Sequence, residues 1–163
     1  MLTLPASQAL WFLPFAVPIG IWVAWNDVKF MKIPNKAVYA LTLVFLVVGL
    51  IAVPLPEYPW RLLQLVVVLV VGFLMNMVGM IGAGDAKFAA AMAPFIPLAD
   101  ARPFAFLFGA VLLAAYVTHR AFRAIPAMQR ATDWKSFAIQ DFPMGLALGP
   151  ALIFYLILGL LNG

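Results

Sequence analysis

Two aspartates in a very hydrophobic chain are the residues best placed to do chemistry. One closes the tetrapeptide Gly82-Ala83-Gly84-Asp85. The other is Asp27, followed six to eight positions later by Ile33-Pro34-Asn35. A carboxylate at membrane depth costs about 2.5–3.5 kcal/mol on insertion scales, so it marks a functional site by default. Paired carboxylates suit general acid/base work. The ionised one takes a proton from water, and the protonated one donates to a scissile carbonyl. Two like charges held close cannot both ionise cheaply, so the proton belongs to the pair and sequence assigns it to neither residue. Gly82 and Gly84 permit close backbone approach. A substrate strand could pair with the N–H and C=O groups they expose and reach Asp85 with no Cβ in the way.

The elements that must hold these groups follow from composition. The chain has 163 residues, 66% hydrophobic and 10% charged, with a mean hydropathy of +1.07. A soluble domain is about 45–50% apolar and about 25% charged. The chain therefore reads as an all-α, polytopic membrane helix bundle, one membrane-embedded domain over residues 1–163. A disordered chain is excluded by the same numbers. The net charge of +4 fits membrane topology better than a nucleic-acid partner. There is no cysteine and one histidine, His119. A disulfide framework, a thiol nucleophile and Cys- or His-pair metal sites are excluded, and no metal or other cofactor is expected. Met1 to Gln8 carry no side-chain charge, so a cleaved secretory signal is not expected.

Six transmembrane helices are predicted, near Ala9–Trp25, Ala37–Val53, Leu62–Met80, Gly82–Leu98, Pro103–His119 and Pro143–Leu161. A fourth span starting after Asp85 would have about 13 residues, or ~20 Å, against a core of ~30 Å. It must start near the glycines, which draws Asp85 into the membrane. Pro54, Pro56 and Pro59 break the second connection. Pro94 and Pro97 end or bend the fourth span, and Pro143 suits the first turn of the sixth. The odd-numbered connections carry Lys29, Lys32, Lys36, Lys87, Arg120, Arg123, Arg130 and Lys135, and the even-numbered ones only Arg61 and Arg102. This bias predicts cytoplasmic odd-numbered connections, with both termini outside. Asp27 and Asp85 then share one membrane face.

With those residues in place, the chain resembles the prepilin leader peptidase family, membrane aspartyl proteases of the Gly-x-Gly-Asp class. The resemblance rests on Asp27-Val28-Lys29-Phe30-Met31-Lys32-Ile33-Pro34-Asn35 and on Gly82-Ala83-Gly84-Asp85-Ala86-Lys87-Phe88-Ala89-Ala90-Ala91. The start of the sixth span, Pro143-Met144-Gly145-Leu146-Ala147-Leu148-Gly149, is similar to the family's final Pro-x-Gly helix. The resemblance implies Asp27 and Asp85 as the catalytic pair of an endopeptidase in the bacterial inner membrane, cutting type IV prepilin leaders on the cytoplasmic side. Long members add a cysteine-ligated zinc segment and methylate the new N-terminus. Without cysteine, methyltransferase activity is not expected here. The length resembles the short form associated with Flp pili of the tight-adherence (Tad) system. Partners would be Flp prepilins and pseudopilins and membrane lipid, with a possible contact to the pilus assembly machinery.

Other residues have two readings each. Lys87 could hold a substrate carboxylate, or anchor topology. Asn35 could line the site, or cap the second helix. Asn26 could hydrogen-bond the catalytic loop, and Asn76 reads as an interhelical hydrogen-bond partner. His119 reads as an interface residue, and Glu57, Asp100, Asp133 and Asp141 as surface groups. Gly145-x-x-x-Gly149 reads as close helix packing. In the long fifth connection, Thr132 or Asp133 could cap a short headgroup-layer helix bearing Trp134, Phe137 and Ala138. The rival function is a small proton- or cation-coupled transporter using the aspartates as ion ligands. Such a protein would more often show repeated halves and midplane carboxylates. Neither is visible in the sequence.

Overall fold

Proline and glycine punctuate the apolar runs and set where the helices stop. The computed structural model describes residues 2–162. Its helices are α1 (Ala6–Phe30), α2 (Asn35–Ala52), α3 (Tyr58–Met77), α4 (Ala83–Met92), α5 (Ala101–Arg123), α6 (Pro126–Ala131), α7 (Lys135–Ala138) and α8 (Gly145–Leu161), with no strand among the described residues. Four helices are long and apolar enough to cross a bilayer: α1, α2, α3 and the run Leu98–Arg123 that contains α5. The other two expected spans are shorter. α8 has 17 residues. α4 has 10 residues, a rise of ~15 Å. Proline stops it: Pro94 and Pro97 divert the chain into 3₁₀ turns at Ala93–Phe95 and Leu98–Asp100.

α1 packs along α8, and α3 along α4. Small residues permit both approaches. Gly149 lies against the Gly20 backbone, and a Cβ on Gly72 would sit 2.9 Å from the Ala86 Cβ. Rings close the far half of the bundle. Phe12 meets Phe95 at 4.8 Å between centroids, Phe45 meets Phe95 at 5.3 Å, and Tyr58 stacks on Phe45 at 5.6 Å. Aromatic pairs of this kind contribute about 0.5–1.5 kcal/mol each beyond area burial. They fix the turn after α4 and so set the depth of that helix. Most of α3 and α5 faces outward with bare Val, Leu and Phe side chains, as a lipid-facing helix requires.

The Thr3 and Leu4 N–H groups donate to the buried Asp100 carboxylate, as does the Tyr155 hydroxyl at 2.6 Å. Asp100 is thus a buried anchor, not the surface group its loop position suggested. Three segments distant in sequence meet there, which no local pattern signals. Leu4 also packs against Gly159. Thr3 and Leu4 and the end of α8 therefore lie at one end of the bundle. Asp27 and Asp85 lie at the other, together with eight of the ten lysines and arginines.

The 120–142 connection folds over the bundle. The Thr132 hydroxyl donates back to the Met128 carbonyl, and α7 has no side-chain cap. Trp134 stands edge-on to Trp25 at 5.5 Å, and Phe137 is buried. His119, expected at the interface, is buried against Phe137 and Phe142. Aromatic residues supplied by the connection cover it.

Candidate active site

Asp27 occupies the last turn of α1. The helix ends there because Met31 adopts a left-handed conformation (φ 53°, ψ 45°). Pro34 then keeps Ile33 out of helical space. The Asn26 side-chain amide donates to the Lys32 carbonyl and ties this turn, as its loop-bonding reading anticipated. Asp27 is buried. Its Oδ2 accepts from the Gly145 N–H at 2.7 Å, across 118 positions of sequence. That N–H belongs to the first turn of α8, where unpaired donors and the positive end of the helix dipole favour an anion. A Cβ at Gly145 would stand 2.8 Å from the Asp27 Cβ and 3.1 Å from Oδ2. Gly145 thus orients the carboxylate as well as permitting close packing, and its sequence signals are the small-residue pattern and the Pro-x-Gly start of the sixth span.

Asp85 sits in the first turn of α4 and is half-buried. Gly82, at the N-cap position, has extended backbone (φ −68°, ψ 145°). The Asp85 Oδ2 lies 2.6 Å from where a Cβ on Gly82 would be. Only glycine leaves that room. A Cβ on Gly84 would come within 3.3 Å of the Ile33 Cβ, so the two sequence motifs touch. The loop into α4 is shaped by Gly79 at φ +74°, which favours glycine. The Asn76 side chain, expected to bridge helices, instead donates to the Ile81 carbonyl at 2.8 Å within this loop.

Asp27 and Asp85 line one cavity of about 800 Å³. Asn35, Gly82, Gly84 and Lys87 line it too. Asn35 follows the N-cap residue Pro34 and makes no side-chain cap bond, so its capping reading does not hold. Asp141 is exposed, as a surface group should be, and it also lines the cavity, beside Phe142. Glu57 and Asp133 lie outside it. Among the described residues, no group of three or more His, Asp or Glu could hold a metal ion. A cavity of about 730 Å³ at the far end, beside Gln8 and Arg61, holds no pair of carboxylates.

Fold and cavity together define an all-helical membrane protein with three aspartates lining a pocket at one end of its bundle, Asp27 buried, Asp85 half-buried and Asp141 exposed. The chain belongs to the type IV leader peptidase family, whose family model matches residues 14–118. That stretch contains both aspartate segments, and Gly145 lies beyond it. Membership makes the protein a peptidase of the leader-peptidase type, with prepilins as the implied substrates. No curated protein and no solved structure matches the chain.

Proposed function

We propose that this single-domain protein is an aspartic endopeptidase of the inner membrane that removes the leader from Flp/Tad-type prepilins and pseudopilins at the cytoplasmic face. Asp27 and Asp85 form the catalytic pair. The observation that carries this reading is their convergence, from positions 58 apart in sequence, on one cavity with Ile33 and Asn35 of the first motif and Gly82 and Gly84 of the second. The ionised carboxylate removes a proton from water, whose oxygen attacks the scissile carbonyl carbon. The protonated carboxylate donates to the carbonyl oxygen. Collapse of the tetrahedral adduct breaks the C–N bond and returns a proton to the leaving nitrogen. Gly82 and Gly84 offer backbone to an extended junction. Lys87 and Asn35 supply the cavity with a cation and an amide for substrate carboxylate or carbonyl groups. The basic residues at the aspartate end support a cytoplasmic site with both termini outside.

The test is mass-spectrometric detection of the released leader after incubation of a Flp-type prepilin with purified protein in detergent. Wild type should cut at one junction. Asp27→Asn and Asp85→Asn should insert and purify normally but release no leader. A single variant with near wild-type turnover would sink the assignment.

A further inference from the structure

We propose that the substrate carries an apolar segment after the scissile bond and that this segment docks as a helix in a groove between α3 and α5, along the α4 face that starts at Asp85. Asp85 and Ala89 on α4 and Ala93 just beyond its end are half-open and four residues apart, while Ala86, Phe88, Ala90, Ala91 and Met92 are buried. Asp85 lines the polar cavity, and Ala89 and Ala93 line a second, apolar cavity of about 380 Å³. α8 makes the same passage, with Met144 in the first cavity and Leu148, one turn later, in the second. Two helices thus lead independently from the carboxylates into one apolar groove.

The groove walls are Val67 on α3 and Phe104 and Phe108 on α5. They do not close on each other, because α5 packs chiefly on α8 and α3 on α4. Val67 is 50% exposed, so the gap opens outward, where lipid lies. A segment entering from lipid must satisfy its own backbone hydrogen bonds and is therefore helical. The junction must instead be extended to pair with the glycine backbone. The helix should therefore begin where the Asp85 turn ends. Alanine at 89 and 93 leaves a shallow floor on which such a helix can lie. Another apolar cavity, beside Trp25 and His119, meets α8 through Leu146 and Pro150, on the opposite side from Met144 and Leu148, and Phe137 and Trp134 line it. The groove therefore fits the occupant better.

This inference rests on the peptidase reading, and two measurements separate them. Two substrates are compared, a full-length Flp-type prepilin in nanodiscs and a soluble peptide truncated just after the scissile bond. Ala93→Trp fills the groove about 12 Å along α4 from Asp85. It should lower the ratio of kcat/KM for prepilin over peptide by about tenfold or more. An unchanged ratio overturns the groove. In the second measurement a photo-crosslinker replaces Val67 or Phe108 in an Asp85→Asn background, which reads binding without cleavage. Crosslinks from both positions to the prepilin's apolar segment support the groove. Crosslinks only from Trp25 or Phe137 overturn it. If Asp85→Asn still cuts, the peptidase assignment fails instead, and the crosslink pattern still reports where the segment lies.

Discussion

At the scale of single residues, the site depends on backbone clearances as much as on carboxylates. Gly145 is the clearest case. Its N–H holds Asp27 Oδ2 at 2.7 Å, and a methyl group there would press on the Asp27 Cβ. Displacing a reacting group by about 1 Å can cost about 10²-fold in rate. Gly145→Ala should therefore lower kcat/KM on a leader peptide by about that factor, through kcat, while the protein still folds. Gly82→Ala should act likewise, since its Cβ would meet Asp85 Oδ2. A leader-release assay that finds both variants near wild type would contradict the geometry. The pair also predicts a pH profile. Cleavage needs one carboxylate ionised and one protonated, so it falls when both are protonated and again when both are ionised. A bell-shaped plot of kcat/KM against pH follows. A plateau extending to alkaline pH would argue against a shared proton.

At the scale of elements, two packing arrangements carry the aspartates. α8 holds α1 through the Gly20–Gly149 approach, and α3 seats α4 through Gly72 against Ala86. Gly149→Leu should push α8 from α1, lowering the thermal midpoint in detergent and activity together, because Asp27 rides on that contact. Asp100→Ala should separate the two readouts. It strips a buried acceptor from the Thr3, Leu4 and Tyr155 donors, a loss of about 1–3 kcal/mol. It lies at the end away from the cavity, so turnover at low temperature should stay within about threefold of wild type. The aspartate motifs and the helical breaks at Pro94 and Pro97 were legible in sequence because local chemistry dictates them. The Gly145–Asp27 bond, the Asp100 anchor and the burial of His119 were not. Each depends on segments distant in sequence meeting, and the local charge or small-residue pattern has a simpler surface or packing explanation. α4 ends at Met92, short of the Leu98 that hydropathy predicts, for a related reason. Hydropathy runs through Pro94 and Pro97, whereas the helix does not.

At the scale of the whole molecule, the two ends of the bundle differ in charge and in content. The aspartates and most lysines and arginines share one end, and Thr3, Leu4 and the last turn of α8 share the other. In cells this should appear as sidedness. The chain has no native cysteine, so Lys36→Cys and Glu57→Cys can each be labelled alone. Position 36 should react with a membrane-impermeant maleimide only after permeabilisation, and position 57 in intact cells. The reverse pattern would put the site on the wrong face for a cytoplasmic cleavage. The central claim, however, is that the two aspartates act as one catalytic unit. A double-mutant cycle on leader release tests it most directly, comparing Asp27→Asn, Asp85→Asn and the double variant in the same purified system. Groups that act as a unit lose nearly everything at the first substitution, so the double variant should be no slower than either single one. Losses that multiply, or a single variant that still turns over substrate, would contradict the account.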